Sequence, residues 1–215
     1  MRYLSLDYRL KQPEILQVRS EVPTSKVPCL IVDGKPIGES ERILTAIERL
    51  AAPFSYPHPS DEDQIKGTAF LRLVEDHLFF IISKSKHLDA TASAIMWSEV
   101  LPDYSLISQW LVRKYAQRTI TRRIQCTSLG NLCEEEVRAE ALKDIRALAA
   151  QLNSSNFIAS NRLTIYDFSV AAHIASILYW RIDNWLTRLF KEHDIFDQYL
   201  QRVAEAVGGF DYEVQ

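Results

Sequence analysis

Ser25-Lys26-Val27-Pro28-Cys29-Leu30-Ile31-Val32-Asp33-Gly34-Lys35-Pro36-Ile37-Gly38-Glu39-Ser40 reads as strand, turn, return strand and helix start in one continuous stretch. Cys29 to Val32 is a short apolar, largely branched run, the composition of a strand. Asp33-Gly34 follows, and it is the strongest short hairpin signal because both central positions of the favoured turn need φ > 0. Lys35-Pro36-Ile37 then returns as an edge strand, since Pro36 cannot donate to a ladder. Glu39 and Ser40 begin a helix whose inner face is Ile43, Leu44, Ile47 and Leu50.

Upstream of this unit, Tyr3, Ser5, Asp7 and Arg9 alternate with Leu4, Leu6, Tyr8 and Leu10, a period of two that predicts a further strand. Downstream, Pro53, Pro57 and Pro59 mark a linker. Everything beyond it reads as helix. Ser60 caps a long helix opening with Asp61, Glu62 and Asp63 and running to about Leu88. Pro102 separates a short segment around Trp97 from a helix over 105–126. Glu134, Glu135 and Glu136 open another, with Val137, Ala141, Ile145, Leu148 and Leu152 on one stripe. Thr164-Ile165-Tyr166-Asp167 is a capping box that starts a helix almost devoid of charge from Phe168 to Leu178, predicted to be buried on nearly all sides. Thr164 and Asp167 read as structural, and Asp167→Ala is expected to cost on the order of 1 kcal/mol. A last helix fits 194–207.

The Val27-Pro28 hairpin with Ile37-Gly38-Glu39-Ser40, followed well downstream by the capped, buried helix from Thr164, resembles the glutathione-transferase superfamily. The resemblance covers nearly the whole chain. It implies a thioredoxin-like α/β part over 1–52, a linker over 53–60 and an all-helical domain over 61–215. Within the superfamily, Leu73-Val74-Glu75-Asp76-His77-Leu78, the basic stretch after Trp110 and the 134–152 helix look like the bacterial branch related to failed-axon-connections proteins and metaxins.

Glutathione is the co-substrate that the resemblance implies, with a small electrophile as second substrate and a homodimer as the frequent assembly. Pro28 matches the family's cis proline, and X-Pro is where a cis bond costs least. That geometry leaves the Val27 backbone open to the cysteinyl part of glutathione. Ser40 and the helix start suit the γ-glutamyl carboxylate. Glu39 suits the ammonium, and Lys26 the glycyl carboxylate. Glu39 and Ser40 also suit the start of any helix, and the Val27-Pro28 context favours binding over capping alone.

The family's thiol-activating residue lies at the end of a first strand or the start of a first helix. Tyr3–Leu10 lies too close to Val27-Pro28 to be that strand and matches the second. No catalytic residue is therefore assigned, and Tyr3, Ser5 and Tyr8 belong to the wrong strand. Three explanations stay open: a start upstream of Met1 (the preferred one), a degenerate non-enzymatic relative, or another chain that fills the gap. The alternative function is a metaxin-like, non-catalytic interaction protein.

Composition narrows the field further. At 215 residues, 47% hydrophobic and 25% charged, the chain is an ordinary globular protein with length for a substantial core. A net charge of -3 points away from polyanions and acidic membranes as main partners. No apolar run reaches the ~18 residues of a spanning helix. Three cysteines without a disulfide framework fit a reducing cytoplasm.

Other chemistry-bearing residues form no recognisable pattern. Cys126 and Cys133 have no histidine nearby and no zinc spacing. Cys29 reads as a small buried strand residue rather than a nucleophile. Arg113, Lys114, Arg118, Arg122 and Arg123 suggest a nucleic-acid surface less than a solvated or paired face, because acidic Glu134 to Glu136 open the next helix. His77 lacks a visible partner for its far nitrogen, and His173 fits a core position. Trp97, Tyr104, Trp110 and Tyr115 suit either an apolar pocket or ordinary core.

Overall fold

The computed structural model describes residues 6–11, 18–24, 27–51 and 59–209. The chain divides into two compact units, one of residues 1–60 with 204–215 and one of 61–203.

In the first unit a short helix α1 (Val18–Glu21) precedes β1 (Cys29–Val32) and β2 (Lys35–Gly38), which pair antiparallel, with α2 (Ser40–Ala51) following. The register sets Cys29 opposite Gly38 and Val32 opposite Lys35. Asp33 (φ 49°) and Gly34 (φ 76°) both lie in the left-handed region, which is why the Asp-Gly pair closes this hairpin. Gly38 is pressed against Thr24, and a Cβ added there would come 2.9 Å from Thr24 Cγ2. On α2, Ile43 is buried while Leu50 is 39% exposed, so the predicted apolar face is only partly covered. Cys29 is half-buried rather than fully buried. The predicted Tyr3–Leu10 strand does not continue through residues 6–11, which form no regular element. Its first residues, and 53–58 of the expected linker, lie outside the described residues. Among those described, the sheet has two strands.

The second unit is helical. A continuous rod consists of α3 (Asp61–Arg72), a π-helical segment over Leu73–Leu78 and α4 (Phe79–His87). In the π segment the Phe79 N–H donates to the Val74 carbonyl, five residues back. After it come α5 (Ala90–Val100), α6 (Leu106–Gln125), a 3₁₀ turn (Ser128–Asn131), α7 (Glu134–Ser154), α8 (Ile165–Leu178), α9 (Trp185–Lys191) and α10 (Ile195–Val207). The rod changes neighbours along its length: α3 packs on α8, the π segment touches α7, and α4 packs on α5 and α6.

The core of this unit follows from the stripes. Val137, Ala141, Ile145, Leu148 and Leu152 of α7 are all buried. On α8, Val170 and Ile174 are fully buried and Ala172 is exposed, so this helix is enclosed on most sides. Leu78, Ile81, Phe190, Phe196 and Tyr199 complete the interior.

The α3–α8 approach depends on Gly67. A Cβ at this position would sit 2.2 Å from Tyr166 Cδ2, well inside contact distance. Alanine gains roughly 1 kcal/mol of intrinsic helix preference over glycine, yet overpacking costs about 1–3 kcal/mol. Gly67→Ala is therefore expected to lower stability by up to about 2 kcal/mol net in urea denaturation. A stabilised variant would show that α3 and α8 stand further apart.

Candidate functional site

Among the described residues, two places combine chemistry with shape, one in each unit. At the open end of the hairpin, the register that pairs Cys29 with Gly38 brings the residues before β1 and those after β2 to the same edge. Val27-Pro28, joined by a cis peptide, thus lies beside Glu39-Ser40. Val27 is 58% exposed, and Pro28, Glu39 and Ser40 are exposed as well. Ser40 is the first residue of a twelve-residue helix, where unpaired amides and the dipole favour an anion. Glu39 has φ 64°, a left-handed conformation that side chains rarely adopt, and its carbonyl accepts from the Ile43 N–H at 3.0 Å. Lys26, expected at the same site, lies outside the described residues.

In the helical unit, a cavity of about 400 Å³ opens between α4, α5 and α8. Phe79, Ile82, Met96, Trp97, Val100 and Trp180 supply apolar walls, and Lys86, His87, His173 and Ser176 supply the polar atoms. Lys86 is buried, at 8% exposure. Its ammonium donates to the Ser176 carbonyl and lies 4.3 Å above the Trp180 ring. Among the described residues no carboxylate forms an ion pair with it. Burial in these surroundings draws its pKa from the usual 10.5 down to about 8.

The imidazoles beside it respond to the same environment. Burial, then repulsion from Lys86, holds His87 down at about 4. Its ring stands 5.9 Å from Trp97. His87 Nδ1 and Trp97 Nε1 are both buried without a hydrogen-bond partner among the described residues. His173 is lowered chiefly by burial, and its Nδ1 is 2.8 Å from the Ser169 carbonyl. Of the four aromatic residues weighed from the sequence, Trp97 alone lines this cavity. Trp110 and Tyr115 are exposed, at 55% and 60%.

The π segment supplies a third feature. His77 Nδ1 lies 2.6 Å from Asp144 Oδ2, so the far-nitrogen partner that the sequence could not show comes from α7. Burial raises the Asp144 pKa, and the hydrogen bond from His77 opposes that shift. The pair ties the π segment to α7. A larger groove of about 850 Å³ is bordered by Glu134, Arg138, Asp183 and Arg188, whose charges already pair as Arg138–Glu134 and Arg188–Asp183. Among the described residues no group of three His, Cys, Asp or Glu side chains could hold a metal ion, and no helix is long and apolar enough to cross a membrane.

No family model matches the chain, and no solved structure gives a significant match to it.

Proposed function

We propose that the open end of the hairpin is a glutathione site in a glutathione-transferase-like protein. The observation that carries this reading is the juxtaposition set by the Cys29–Gly38 register, which brings the exposed, cis-linked Val27-Pro28 segment beside a helix N-terminus. In this reading the Val27 backbone pairs with the cysteinyl part of the tripeptide. The α2 N-terminal amides and the Ser40 hydroxyl take the γ-glutamyl carboxylate. Glu39 receives the ammonium, and Lys26 the glycyl carboxylate. Small electrophiles are the proposed second substrates, a homodimer the proposed assembly and the cytoplasm the proposed compartment. No residue of the chain is assigned to activate the thiol.

Calorimetric titration with reduced glutathione tests this directly. Saturable binding is expected at or below millimolar ligand. Ser40→Ala should weaken it about tenfold, the loss expected for one hydrogen bond to a charged group. A folded protein that gives no heat at millimolar glutathione sinks the reading.

That outcome would favour a metaxin-like interaction protein, for which one observation speaks. The α6 face carries Leu106, Ile107, Trp110, Leu111 and Tyr115, between 55% and 82% exposed. Clustered apolar exposure of this kind marks partner surfaces.

A further inference from the structure

We propose that the aromatic cavity between α4, α5 and α8 binds a small aromatic carboxylate, whose anion pairs with the Lys86 ammonium. The inference does not rest on glutathione binding, since its residues belong to the helical unit alone.

Size and lining come first. About 400 Å³ lies in the range of small-molecule pockets, and a flat apolar body suits walls made by Phe79, Met96, Trp97 and Trp180. Charge decides the rest. A buried ammonium normally has an anion beside it, because desolvating a lone charge is expensive. Lys86 instead has one backbone carbonyl and one aromatic face. An ammonium carries three donors, so the Ser176 bond leaves capacity for a ligand oxygen.

Among the described residues no carboxylate lies within ion-pair distance of Lys86. His87 and His173 are both held toward the neutral form by burial. Glu99 accepts from Trp180 Nε1 at 2.9 Å, and Glu75 accepts from the Ser169 hydroxyl at 2.6 Å. Trp97, one of the lining side chains, has a buried Nε1 donor without a partner among the described residues. The cavity thus offers an apolar slot with one cation at its edge, and an aromatic acid has the complementary layout.

Equilibrium dialysis with 2-naphthoate and its neutral analogue 2-naphthalenemethanol tests the assignment on the full chain. At pH 7 the acid is expected to bind about tenfold or more tightly than the alcohol, as one charge-assisted hydrogen bond requires. Lys86→Met should bring the two affinities within about twofold of each other by weakening the acid alone. Raising the pH from 7 to 9.5 deprotonates Lys86, whose pKa is about 8, and should weaken the acid while leaving the alcohol unchanged. Both histidines stay neutral across that window. Equal affinity of acid and alcohol for the unmodified protein overturns the proposal, and that comparison needs no variant to fold. So does failure of both to bind at millimolar concentration, or an acid preference that survives Lys86→Met.

Discussion

Asp167→Ala is expected to destabilise the protein by about 3–5 kcal/mol, several times the value of a helix cap alone. The carboxylate is fully buried and serves four donors. Oδ1 accepts from the Ile158 N–H at 2.8 Å and the Tyr199 hydroxyl at 2.9 Å. Oδ2 accepts from the Thr164 N–H at 2.8 Å and the Thr164 hydroxyl at 2.7 Å. Burial pushes the Asp167 pKa up, and the bonds from Ile158, Thr164 and Tyr199 pull against it. Alanine strands two backbone amides and two hydroxyls in the interior, at about 1–3 kcal/mol for each group that finds no substitute. Asparagine does not rescue the site. A backbone N–H points at each oxygen, so either orientation of the amide sets an NH₂ group against an N–H. We expect Asp167→Asn to lose about 2 kcal/mol or more in urea denaturation. A loss near 1 kcal/mol for alanine would return Asp167 to the role of an ordinary cap.

Lys86→Met is expected to act in the opposite direction, raising stability at pH 7 by about 1–3 kcal/mol. In the folded protein the Lys86 pKa is about 8, against an ordinary value of 10.5. Between those values the unfolded chain binds more protons than the folded one, so stability rises with pH across that window. Below about pH 8 the folded protein carries the whole cost of a buried ammonium. Methionine fills similar space among Phe79, Trp97 and Trp180 and removes the charge, giving up the bond to Ser176 and the contact with Trp180. Denaturation curves at pH 7 and pH 9.5 check both sign and window: the gain should be largest at pH 7 and shrink as the wild-type lysine loses its proton. A variant less stable than the parent at pH 7 would mean that the ammonium is better satisfied than its contacts indicate. Together with the binding proposal, this makes Lys86 a residue retained at the expense of stability, a pattern found at functional sites.

What could be read from the sequence was local. Asp33-Gly34 specifies its turn through backbone conformation, and the structure has both residues at positive φ. The α7 stripe repeats over five buried positions, long enough for periodicity to be decisive. Thr164 to Asp167 brackets a helix start. The alternation over Tyr3–Leu10 misled because a period of two is only a preference until a partner strand fixes it, and residues 6–11 form no strand. The helix α9 was passed over because seven residues give too little period, although Asn184 caps it through the Leu186 and Thr187 amides.

The hairpin end was legible because its residues are close in sequence. The aromatic cavity was not. It gathers Lys86 from α4, Trp97 from α5 and Trp180 from the segment after α8, and nothing beside Lys86 in the sequence announces that its ammonium is enclosed. The same distance hid the Asp167 hub, since Ile158 and Tyr199 lie on either side of the cap in sequence, and hid the His77–Asp144 pair, 67 residues apart.

The π segment over Leu73–Leu78 also constrains how the chain length can vary. Each residue of an α-helix turns its side chain by roughly 100° about the axis. Deleting one residue from 73–78 could let the rod continue as unbroken α-helix, with more regular hydrogen bonds than before. A π turn spends one extra residue on about the same rotation, so the deletion would leave Lys86 toward Trp180 and α4 on its seat against α6. Relatives that keep the cavity should therefore tolerate the loss of one residue here, whereas a deletion within α3 or α4, which have no surplus residue, would turn everything beyond it by roughly 100°.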